Sequence, residues 1–142
     1  MPQTLSTSGL CWNTSNRCDK LKTLTIILTD GPYISEYAEM AYKIAAKALK
    51  MAQVNVFLYL DAVHIPKRGQ KPSVLGDAGH LFRDLAQRGA IVRACVRCAA
   101  ARGYAARDDG TSPDYEQGIL ITSLYDMAEM IKNSDQVISL SR

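Results

Sequence analysis

The chain has 142 residues, 47% of them hydrophobic, which suffices for one domain with a proper core and is too short for two. Its 17 Lys and Arg against 14 Asp and Glu leave a net charge of +3 that is spread along the chain, so nucleic-acid binding has no electrostatic support. No run approaches the ~20 apolar residues of a membrane span and the first twenty residues lack the apolar stretch of a signal peptide, so a cytoplasmic protein is expected.

Residues 1–20, rich in Ser, Thr and Asn, show neither helical nor strand periodicity and are expected to form a flexible arm. The arm carries Cys11, Trp12 and Cys18. Residues 21–142 are expected to form the domain. Its first strand is the β-branched and aliphatic run Leu24 to Leu28, which Thr29-Asp30-Gly31-Pro32 ends with turn chemistry. A helix follows, with Ser35 able to cap it and Tyr37, Met40, Ala41, Ile44, Ala45, Ala48 and Met51 recurring at helical spacing. Gln53 to Leu60 is a second apolar strand. The order strand, helix, strand argues for a right-handed crossover and a parallel sheet.

Asp61 to Gly76 has two prolines, two glycines and four basic side chains, which predicts a long irregular loop leaving the carboxyl end of the second strand. In open α/β sheets the crevice lies at that edge, where this loop and Thr29 to Tyr33 are expected to meet the site. His64 in the loop is a candidate base or hydrogen-bond donor. Asp77 to Arg88 is again amphipathic and is read as a helix in which His80 is structural.

Ala90 to Ala94 suits a short buried strand, and Cys98 to Arg102 are mostly strong helix formers ending at Gly103, where a left-handed residue is wanted. Cys95 therefore falls at a strand-to-helix junction. Unpaired N–H groups at a helix start favour a thiolate, and Arg93 and Arg97 add positive charge, so Cys95 is the candidate nucleophile. Cys98, three residues on, lies on the same helical face and within reach of a disulfide. Four cysteines, two of them as CxxC, are too few for a disulfide scaffold and fit redox, sulfur or metal chemistry in a reducing compartment.

Beyond Gly103, Tyr104 to Pro113 reads as a charged loop and Gly118 to Ile121 as a short strand. Ser123 can cap a final helix from Leu124 to Asn133, and Gln136 to Leu140 makes a fifth strand. The expected fold is a single-domain, three-layer α/β/α arrangement with a five-stranded, mainly parallel sheet. Neither G-x-G-x-x-G nor G-x-x-x-x-G-K-[ST] occurs, so the dinucleotide and P-loop fingerprints are missing.

From Lys22 to Leu140 the sequence resembles the DsrE/DsrF/TusD-like sulfur-relay family of small α/β proteins. Thr29-Asp30-Gly31-Pro32-Tyr33 is similar to that family's Gly-Pro turn. Cys95-Val96-x-x-Ala99-x-x-Arg102-Gly103 is similar to its cysteine motif, in which a Cys-Val pair opens an alanine-rich helix closed by Arg-Gly. The resemblance implies a sulfurtransferase-like carrier that accepts sulfane sulfur as a persulfide on Cys95 and passes it to a small sulfur carrier protein of the TusA or DsrC kind. It also implies a homo-oligomer (a dimer, trimer or hexamer), without cofactor or metal. Cys98 and the cysteine-bearing arm depart from the pattern, and Cys98 is a candidate to resolve a persulfide. The alternative is a module without transfer activity, in which the cysteines switch a disulfide or hold zinc.

Overall fold

The computed structural model describes residues 22–142, so the arm with Cys11 and Cys18 lies outside the described residues. Among the described residues five strands form one parallel sheet: β1 (Lys22–Leu28), β2 (Ala52–Leu58), β3 (Ile91–Cys95), β4 (Ile119–Thr122) and β5 (Gln136–Leu140), in the order β4-β3-β2-β1-β5. Four helices connect them: α1 (Tyr37–Ala48), α2 (Ala78–Gln87), α3 (Val96–Ala101) and α4 (Leu124–Lys132). The first three crossovers step one way along the sheet and the fourth steps back past all of it. With right-handed connections, α1 and α2 therefore cover one face and α4 crosses the other.

The two faces differ as the strand alternation dictates. Leu24, Ile26 and Leu28 of β1, Val54, Val56 and Leu58 of β2, Val92 and Ala94 of β3, and Ile119 and Ile121 of β4 are all buried toward α1 and α2, where Ala41, Ala45, Phe82 and Leu85 close the core. The face under α4 is mixed. Thr25 and Asn55 are buried there and bonded to each other (Asn55 Nδ2 to Thr25 Oγ1, 3.2 Å), and Thr25 also meets Ser134 at the end of α4. No residue of α4 is fully buried.

The helix boundaries follow local chemistry. Asp77 caps α2 by accepting the His80 N–H at 3.2 Å. Ser123 and Asp126 form a capping box on α4, the Ser123 N–H reaching Asp126 Oδ2 at 3.2 Å. Helix α1 stops at Ala48, where Leu49 closes it back onto Ala45, a turn earlier than the apolar spacing up to Met51 suggests. Ser35 lies one residue ahead of the cap position, and its Oγ accepts the Tyr37 N–H at 3.4 Å. Residues 61–76 are less irregular than their composition implies, because Leu60–His64 winds into a tight 3-10 turn directly after β2.

Candidate active site at the carboxyl edge of the sheet

Cys95 ends β3 and is the N-cap of α3, with the extended backbone a cap residue takes (φ −66°, ψ 124°). It is fully buried. Cys98 is the third residue of α3, half-buried, and neither thiol is in a disulfide. The two thiols thus share the first turn of α3. Burial pushes the Cys98 thiol above its ordinary value, and sharing its proton with Cys95 pushes it further. The Leu60 backbone N–H and the Arg102 charge pull the other way.

Leu60, whose amide lowers the Cys98 pKa, has a left-handed backbone, φ 51°, which costs a leucine energy and is found where surrounding structure enforces it. The tight turn it opens packs on the turn after β1: the Ala62 N–H donates to the Thr29 carbonyl at 3.0 Å, and a Cβ on Gly31 would lie 3.2 Å from the Asp61 carbonyl oxygen. Two of the expected neighbours, the Gly-Pro turn and the loop after β2, do therefore meet at this edge. Arg102 ties the turn to α3. Its Nη1 donates to the Cys98 carbonyl at 3.1 Å, its Nε donates to Asp61 Oδ1 at 3.0 Å, and its charge holds the Asp61 carboxyl below the usual carboxylate range.

His64, at the end of the same turn, has its Nδ1 2.7 Å from the Tyr104 hydroxyl. Burial, and then the Arg102 charge, lower its pKa and favour neutral imidazole. Tyr104 packs on Tyr115 with ring centroids 5.1 Å apart, and the buried Tyr115 hydroxyl donates to the Val63 carbonyl at 2.6 Å. Desolvation raises the pKa of both phenols. Tyr104 and Tyr115 thus buttress the turn after β2, whereas Tyr104 to Pro113 reads in the sequence as a charged loop. The two tyrosines carry no periodicity that would single them out.

The remaining candidates fall elsewhere. Arg93 is half-buried in β3 and donates to the Val92 carbonyl at 3.0 Å; burial lowers its pKa. Arg97 is exposed on α3. Pro32 is half-buried in the turn after β1. Tyr33 leaves the site: its hydroxyl accepts the Ala78 N–H at 3.1 Å, and it lines a groove of about 430 Å³ with Ile34, Ala38, Tyr42, Leu75 and Leu81. Neither cysteine borders that groove. Among the described residues no three His, Cys, Asp or Glu side chains gather as a metal site.

The DsrE/DsrF-like family pattern matches residues 22–140. The chain belongs to the DsrE/DsrF-like family. Two relatives are similar over most of the chain. Uncharacterized protein MK0008 of Methanopyrus kandleri is 30% identical over 119 residues, covering 83% of this chain and 93% of its own. Uncharacterized protein MJ0989 of Methanocaldococcus jannaschii is 31% identical over 116 residues, covering 81% and 96%. The crystal structure of the ychN protein from E. coli shares the fold, with a TM-score of 0.71 at 24% identity, over 84% of this chain and all of that one. Membership of the DsrE/DsrF-like family points to sulfur-relay-related function. None of the described helices is long and apolar enough to cross a membrane.

Proposed function

We propose that this protein is a sulfur carrier that accepts sulfane sulfur as a persulfide on Cys95 and passes it to a small sulfur carrier protein of the TusA or DsrC kind, in the cytoplasm. The observation that carries the reading is Cys95 at the N-cap of α3 with Cys98 in the same turn, at the carboxyl edge of the sheet of a DsrE/DsrF-like chain. The Cys95 thiolate attacks the outer sulfur of a donor persulfide and the donor leaves as a thiolate. The acceptor thiolate then attacks the outer sulfur of Cys95, restoring the Cys95 thiolate. Neutral His64 is available to take up a thiol proton on the turn that packs against α3, and exposed Arg97 contributes positive charge to an incoming anionic donor.

A homo-oligomer is part of the proposal. The α4 side exposes Leu124, Ile131 and Val137 as well as Tyr125, which is 72% exposed, and a second copy would cover such apolar surface. Exposure to inorganic polysulfide tests the carrier role. Intact mass should show wild type and Cys98→Ser reacting, and Cys95→Ser, in a chain that also carries Cys11→Ser and Cys18→Ser, gaining no sulfur. Loading that survives Cys95→Ser would refute the assignment.

A further inference from the structure

The two thiols share the first turn of α3, Cys95 at its N-cap and Cys98 as its third residue. The residue that carries the second thiol is also held in place, because Arg102 grips the Cys98 carbonyl and Asp61 at once. Cys95 is fully buried, so the first nucleophile a persulfide on it meets is Cys98.

We propose that Cys98 resolves the Cys95 persulfide, so that the protein reduces sulfane sulfur to sulfide whenever no acceptor protein is docked. The inference rests on the persulfide reading above. The Cys98 thiolate attacks the inner sulfur of Cys95–S–SH. A Cys95–Cys98 disulfide forms, the Cys95 S–SH bond breaks, and hydrosulfide leaves with the electron pair. Over loading and resolution together the two cysteine sulfurs are oxidised and the sulfane sulfur is reduced to sulfide. An external dithiol, such as a reduced CxxC protein, then reopens the disulfide. Burial favours this route because only a small anion has to leave, whereas transfer requires an acceptor thiolate to reach the fully buried Cys95.

The test uses the full chain with Cys11→Ser and Cys18→Ser, so that Cys95 and Cys98 are the only thiols. Protein is treated with inorganic polysulfide, desalted, and followed by sulfide trapping and intact mass. The pair should release one sulfide per loaded chain and end two hydrogens lighter than the reduced protein, and dithiothreitol should restore the starting mass. Cys98→Ser should keep the added sulfur, with release slower by at least about tenfold. Cys98→Ala should behave the same way, which removes any effect peculiar to serine. A pair that holds its persulfide as long as Cys98→Ser does, with no disulfide formed, overturns the inference and leaves the carrier reading standing. Failure of both Cys98 variants to gain sulfur overturns the two together.

Discussion

Alanine at position 79 should destabilise the protein, although alanine is the better helix former. Gly79 is the second residue of α2, and on propensity alone the substitution gains at most about 1 kcal/mol. A Cβ there, however, would lie 2.9 Å from the Lys67 carbonyl oxygen, 3.1 Å from Asp77 Oδ1 and 3.2 Å from Glu116 Cγ. None of these neighbours is free to give way. Lys67 pairs with Tyr115 in an antiparallel bridge, and its segment is pinned on both sides by Arg68 N–H to the Asp114 carbonyl and Glu116 N–H to the Pro66 carbonyl, each 2.8 Å. Asp77 Oδ1 is the cap of α2, and the Glu116 carboxylate is held by Arg83 at 3.1 Å. Overpacking of this kind costs about 1–3 kcal/mol, which outweighs the propensity gain and leaves a net loss of up to about 2 kcal/mol. Urea unfolding followed by circular dichroism reads the change directly as a lower midpoint at unchanged slope. A midpoint equal to or above that of wild type would refute the reasoning.

Three further outcomes are expected. Tyr115→Phe removes only the hydroxyl that satisfies the buried Val63 carbonyl, so it should cost about 1–3 kcal/mol in the same assay, and more than Tyr104→Phe, whose partner His64 is partly exposed and can turn to water. Because the folded state lowers the His64 pKa, the unfolded chain binds more protons just below pH 6.5. The His64 contribution to stability is therefore complete above that pH and is lost as pH falls from it toward the lower folded-state value; His64→Gln should flatten this part of the stability profile, and an unchanged slope would contradict the assigned burial. Residue-resolved alkylation with iodoacetamide should show Cys98 ionising only above its ordinary value of 9.0. A midpoint below 9.0 would contradict the burial of Cys98 described above.

Much of the fold was legible because the apolar runs match strands of a sheet buried on both faces. Gln136 to Leu140 is found as β5 with the expected bounds, and Cys95 stands at its strand-to-helix junction. Ser123 announces α4 because the acid three residues later completes a recognisable cap. The site itself was only half legible. Two cysteines three apart are visible in one dimension, but the partner of His64 stands forty residues away in Tyr104, in a stretch with no period. A left-handed leucine is invisible to any residue preference, since Leu60 adopts φ 51° for the sake of its surroundings and not of its side chain. Arg102 reads as the end of a motif, and its hold on Asp61 emerges only once β2 and α3 are brought together. The length of α3, six residues, also tempers the expectation of a strong dipole at Cys95, since fewer peptide units are aligned.

The place of β5 beside β1 bears on how the chain assembles. Strand β1 pairs with β2 on one side as soon as residue 58 is available, but its other side waits for a partner from Gln136 onward, as Asp135 reaches back to the Thr23 amide across 112 residues. Until then β1 presents a bare row of backbone donors and acceptors along Thr25, Ile26 and Ile27, an invitation to the same segment of another nascent chain. A chain cut between Asn133 and Gln136 would keep nearly all of its core and still be expected to aggregate, because it would lack the one short strand that shields that edge.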